Sequence, residues 1–247
     1  MERQNPTWAP AQSGHEAPPR WTYGEALLLG LLAFPSALVG LVIAQLIGLL
    51  GGAGQPPTLA ILAAQLVAYG LWFGWIAAFL RIRYQLGFWT ALGWRAPRYG
   101  YVIYVYAGPG LAVLIGALGI ALRTPEIDMP MKQLLADPAS IVLVGLFAST
   151  LGPVCEELAF RGFLLPTLQR AVGTGPAVVI TAAVFSALHG PQYAWSWRHL
   201  VLITVAGVAF GLIRVLARST LAASLTHASY NFCFLIAYLL HAKAQGC

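Results

Sequence analysis

Apolar residues in this chain run on without interruption; they do not alternate or fall in stripes. Apolar stretches cover about 26–50, 58–80, 101–122, 139–160, 176–189, 200–216 and 220–240. A soluble domain shows apolar stripes at helical period or strict alternation. Runs near the ~20 residues that a bilayer crossing needs read instead as membrane-spanning helices. The fifth and sixth runs are short, and either recruit flanking residues or cross only part of the bilayer. An eighth, half-buried helix around 128–137 is a further option. The pattern therefore predicts an all-α, polytopic transmembrane helical bundle of about seven to eight helices. Residues 1–24 are polar and proline-rich and read as a flexible tail. That leaves 25–247 as a single transmembrane domain.

Composition agrees. The chain is 59% hydrophobic and 9% charged, with a mean hydropathy of +0.73, whereas soluble domains carry about 25% charged residues. The net charge of +6 does not point to nucleic acid, because the basic residues are scattered over short connections. They orient the chain instead. With a cytoplasmic N-terminus and seven spans, Arg3, Arg20, Arg81, Arg83, Arg95, Arg98, Arg161, Arg170, Arg214 and Arg218 lie inside. Arg123, Lys132, Arg198 and Lys243 lie outside. Ten of the fourteen basic residues are then cytoplasmic, as the positive-inside rule requires. The three cysteines, Cys155, Cys233 and Cys247, imply no disulfide framework. Trp72, Trp75, Trp89, Trp94, Trp195 and Trp197 read as an interfacial belt. Gly207 and Gly211 read as a GxxxG helix contact.

Of eight acidic residues, only Glu156 and Glu157 fall within a predicted span. A carboxylate in hydrocarbon costs roughly 2.5–3.5 kcal/mol on insertion scales, so an adjacent pair marks a functional site by default. Glu157 and Arg161 are i,i+4 with the acid first, the favoured order for a helical ion pair. Glu156 then points about 100° away around the helix, free to face a cavity. The upstream Gly152-Pro153 loosens the backbone there. His189 closes the fifth run, and His227 and Asn231 share a face of the seventh. A glutamate in a desolvated pocket is suited to act as a general base on water. Histidine and asparagine donors suit a tetrahedral oxyanion.

The residues "EELAFR" (156–161), "FSALH" (185–189) and "HASYN" (227–231) fit EExxxR, FxxxH and HxxxN in that order. In this the chain resembles the CAAX protease and bacteriocin-processing (CPBP) family of intramembrane endopeptidases, over about 139–240. The segment "GVAFGLIR" (207–214) also looks like the small-residue helix these proteins place before the last motif. The resemblance implies that Glu156 activates water with His189 assisting, and that His227 and Asn231 form the oxyanion pocket. It also implies that Glu157 and Arg161 brace the site and that Phe185 packs near His189. Members are described both as metalloproteases and as glutamate-dependent enzymes. Glu156, His189 and His227 are of types that bind Zn²⁺, with no fourth protein ligand evident. The implied partners are the lipid bilayer and a protein or peptide cut near its C-terminus or the membrane edge. The Ala/Gly/Leu-rich composition and short loops suggest a bacterial inner membrane.

Other readings stay open at this stage. A proton-coupled transporter would use Glu156, Glu157 and His227 as a relay, although no internal repeat supports it. A b-type haem protein would use His189 and His227 as axial ligands. A non-catalytic immunity or scaffold protein would tolerate Glu156→Gln.

Overall fold

The computed structural model describes residues 21–50, 57–125 and 137–244. Among them every regular element is helical. Six stretches are long and apolar enough to cross a membrane: Tyr23–Leu49, Thr58–Tyr84, Val102–Ala121, Pro138–Val172, Trp197–Ala217 and Thr220–Leu240. The predicted transmembrane bundle is therefore present, and the protein is a multi-pass integral membrane protein.

Helices α1 (Tyr23–Leu31) and α2 (Ala33–Leu50) form the first span and pair with α3 (Pro57–Tyr84). A short α4 (Phe88–Ala91) leads to α5 (Val102–Ala121). The fourth span is three helices in series, α6 (Pro138–Ser149), α7 (Leu151–Glu157) and α8 (Leu165–Val172), with a π-helix over Leu158–Leu164 between the last two. Next come α9 (Thr174–Leu188), α10 (Trp197–Ala217) and α11 (Thr220–Ala244). Helix α11 packs against α5, α6, α7 and α10, and α9 lies between α8 and α10. The last span is thus where α5, α10 and the first half of the fourth span meet.

The two short runs resolve differently. The sixth recruits Trp197, Arg198 and His199 in front and Ala217 behind and becomes a 21-residue span. The fifth stays at 15 residues, or about 22 Å at 1.5 Å per residue, against a ~30 Å hydrocarbon core. His189 caps its C-terminal end. The helix expected at 128–137 lies outside the described residues except for Asp137, which caps α6.

The described chain begins inside the segment read as a tail; residues 1–20 lie outside it. Trp21 is buried, its ring stacked 5.5 Å from Phe163 and its indole N–H donating to Thr167 Oγ1 at 2.9 Å. Thr22 then caps α1 in a reciprocal box with Glu25, satisfying donors that a helix start leaves open. Two of the belt tryptophans also do otherwise than expected. Trp72 and Trp94 are half-buried and pack on a core of Trp21, Leu29, Ile76, Leu80, Leu92 and Phe163. Trp72 donates to the Leu29 carbonyl at 2.7 Å. A single-residue reading misses this because an indole inside a bundle and one at an interface look alike in sequence. Trp75, Trp89, Trp195 and Trp197 remain more than half exposed.

Contacts sort the basic residues by end. Arg83 pairs with Glu25, Arg170 donates to the Trp21 carbonyl, and Ser219, beside Arg218, donates to the Arg95 carbonyl. At the other end Arg198 donates to the Arg123 carbonyl. The two groups are those that the loop-charge count separates.

Candidate active site

The site begins with a break in a helix. Pro153 has no N–H, and its ring clashes with the carbonyl four residues back, which is that of Ser149. The chain answers at Thr150 (φ −136°, ψ −87°), where α6 stops and α7 starts. The break strips carbonyls of their helical donors. Asn231 of α11 takes one of them, donating from Nδ2 to the Ala148 carbonyl at 2.7 Å. An amide carries two N–H groups, and this bond uses one of them.

Glu156 and Glu157 close α7, and the π-helix carries Arg161. Single π turns of this kind recur at functional sites. Glu157 and Arg161 are completely buried and pair at 2.9 Å from Oε1 to Nη1. Arg161 Nη2 also donates to the Gly207 carbonyl of α10 at 2.8 Å. The rings of Phe185, Phe210 and Phe160 lie 4.8, 5.4 and 5.9 Å from the guanidinium carbon. An unpaired buried charge is costly; this one has an ion pair, a carbonyl and three aromatic rings about it. Glu156 is different, with 24% of its side chain exposed.

His227 joins the two glutamates. Its Nδ1 is 2.9 Å from Glu157 Oε1, and its Nε2 is 3.7 Å from Glu156 Oε2. A carboxylate accepts, so Nδ1 carries the proton and Nε2 faces Glu156. His189 caps α9, and its Nδ1–H donates to the Phe185 carbonyl at 2.8 Å, which leaves its Nε2 available. Phe185 lies between the two histidines, at 4.4 Å from the ring of His189 and 5.9 Å from that of His227. The structure thus brings Glu156, Glu157, Arg161, Phe185, His189 and His227 into one contiguous cluster. Asn231 meets it through the break, at Ala148.

Among the described residues no three His, Cys, Asp or Glu side chains are grouped to hold an ion. Each histidine has its Nδ1 on a protein acceptor, as metal-binding histidines commonly do.

Two features escaped the sequence reading. Phe210 is 1% exposed and stacks on His227 at 4.4 Å with the planes 20° apart. It sits within "GVAFGLIR", where only the glycines drew notice. Those glycines do make the close contact expected. A Cβ on Gly207 would lie 3.1 Å from Ala182 Cβ, and one on Gly211 would lie 3.0 Å from Val178 Cγ1. The second is Tyr193, in the turn after His189, stacked 5.1 Å from His199. Burial, and after it the charge of Glu156, pushes its phenol pKa up.

The model of the type II CAAX prenyl endopeptidase, Rce1-like family matches residues 138–233. The match runs from the start of α6 to beyond Asn231 in α11 and takes in all three motifs. No curated protein and no solved structure matched the chain. Over the part of the fold that builds this cluster, the chain is similar to the CAAX-type membrane endopeptidase family.

Proposed function

We propose that the protein is a glutamate-dependent intramembrane endopeptidase that cuts a protein or peptide near its C-terminus or at the membrane edge. One observation carries the reading. Glu156, on α7, and His227, on α11, come within 3.7 Å of each other beside a buried Glu157–Arg161 pair. Such a group of ionisable side chains inside a span has a purpose worth its insertion cost.

In this reading Glu156 takes a proton from water, and the oxygen attacks the substrate carbonyl carbon. The carbonyl oxygen becomes an oxyanion, which the second N–H of Asn231 stabilises, with His227 Nε2 joining it when that nitrogen has taken a proton from solvent. The C–N bond then breaks as the proton held on the glutamate passes to the leaving nitrogen. His189 orients the water through its free Nε2. Glu157 does no chemistry on substrate; it fixes the proton of His227 on Nδ1, as the carboxylate of a serine-protease triad fixes its histidine. An apolar groove of about 290 Å³ is lined by Leu62, Leu66, Phe147 and Leu151 among others, and Leu151 opens the helix that carries Glu156. The groove offers a place for apolar substrate residues arriving from the lipid.

The arginine-rich connection between α3 and α5 supports an orientation with that end, and the N-terminus, on the cytoplasmic side. The test is mass spectrometry of tail peptides incubated with the protein in liposomes. New C-termini that appear with wild type and not with His227→Ala support hydrolysis. Proton uptake into the liposomes without any cleavage would favour the transporter.

A further inference from the structure

We propose that Phe210 is a positioning residue of this site, holding the His227 imidazole in the one plane that lets it span Glu157 and Glu156. The inference rests on the endopeptidase reading.

The imidazole must meet Glu157 with Nδ1 and Glu156 with Nε2. Rotation about the side chain would break both contacts, because His227 χ2 is a broad sp³–sp² torsion with no deep wells of its own. Something must therefore clamp the plane. Phe210 lies nearly parallel to it, at 4.4 Å and 20°. Phe185 approaches edge-on at 5.9 Å and 79°, and so limits the ring from a second direction. Phe210 is itself fixed. It is 1% exposed, packs edge-on to Tyr230 at 5.7 Å, and has the Arg161 guanidinium over its face at 5.4 Å. Arg161 in turn is tied to Gly207, one turn before Phe210 on α10. A Phe at 210 thus joins the Glu157–Arg161 pair to the plane of His227. A residue of equal apolarity but without a flat face would fill the space and leave the imidazole free to turn.

The test compares wild type with Phe210→Leu, Phe210→Met and Phe210→Tyr on a cleaved peptide, with the thermal midpoint of each as a check on folding. Leu and Met are expected to lower kcat about 10²-fold with KM little changed, the size of loss a misplacement on the order of 1 Å produces. Tyr keeps the flat face and is expected to stay near wild type. In the same samples, proton spectra of histidine-labelled protein should show the His227 ring protons shifted upfield by the Phe210 ring current, with the shift lost in Phe210→Leu. Leu and Met variants that cut like wild type would overturn the proposal, as would a Tyr variant as impaired as Leu. The ring-current shift separates this inference from the reading beneath it. A wild type that cuts nothing while His227 shows the shift contradicts the endopeptidase and leaves the clamp standing. A missing shift contradicts the clamp whatever is cut.

Discussion

His227 Nδ1 lies 2.9 Å from Glu157 Oε1, although the two residues are 70 positions apart in the chain. The same carboxylate oxygen holds Arg161 at 2.9 Å. Adjacent glutamates thereby take separate tasks. Glu157 is a buried anchor that sets a cation and an imidazole, and Glu156 keeps part of its side chain exposed.

That division predicts a stability effect at Glu157. Glu157→Gln leaves the Arg161 charge buried without its ion pair, and breaking a buried pair from one side costs about 3–5 kcal/mol. Its midpoint in thermal or detergent unfolding should fall well below that of wild type, while that of Glu156→Gln should stay close to it. Equal midpoints for the two variants would contradict the division.

Close helix contacts predict a graded series of alanine substitutions. At Gly108 a Cβ would sit 2.5 Å from the Tyr230 nitrogen and 2.6 Å from the Thr226 carbonyl oxygen, both backbone of α11. At Gly207 it would sit 3.2 Å from Ala182 Cα, and at Gly116 it would meet nothing within 4 Å. Overpacking typically costs about 1–3 kcal/mol. Gly108→Ala should destabilise most, Gly207→Ala less, and Gly116→Ala not at all, read as unfolding midpoints in one detergent.

Most of the architecture was legible in the chain, because membrane spans are written in composition. The runs at 58–80 and 101–122 became α3 and α5 with little change. The fourth run was not legible in full. Arg161 looked like its cytoplasmic end, yet the span continues to Val172, because the guanidinium is neutralised inside the bundle. The Glu157–Arg161 pair could be read from i,i+4 spacing alone. The link from His227 to both glutamates could not, since it depends on how α11 rotates against α7. Phe210 was invisible for the same reason. An apolar residue on an apolar helix carries no mark until its neighbour is known.

Asp137 gives a pH-dependent start to α6. Its carboxylate accepts from Ser140 Oγ at 2.5 Å and Ser140 N at 3.0 Å, and these bonds hold its pKa below the ordinary aspartate value. A pKa lowered by folding stabilises the fold above the unfolded value of about 3.9, and the gain is lost as pH falls through the folded value. Wild type should therefore lose stability below about pH 4 relative to Asp137→Asn, which keeps a capping oxygen that does not titrate. Parallel melting curves from pH 3 to 7 would show the two converging in acid. A constant gap would remove the carboxylate from the account.

The proposed glutamate-dependent mechanism predicts indifference to chelators. With Glu156 as the base for water, o-phenanthroline or EDTA should leave the cleavage rate unchanged. A loss that added Zn²⁺ restores would require His189 and His227 to turn toward an ion.

The central claim is that Glu156 activates the water that cuts the peptide bond. The most direct measurement is the cleavage rate of a membrane-embedded tail peptide by purified wild type and Glu156→Gln in liposomes, with unfolding midpoints measured on both. The account predicts that wild type cuts and that Glu156→Gln, equally folded, loses at least the 10²–10⁴-fold that a general base contributes. A folded Glu156→Gln protein that cuts at the wild-type rate would contradict it.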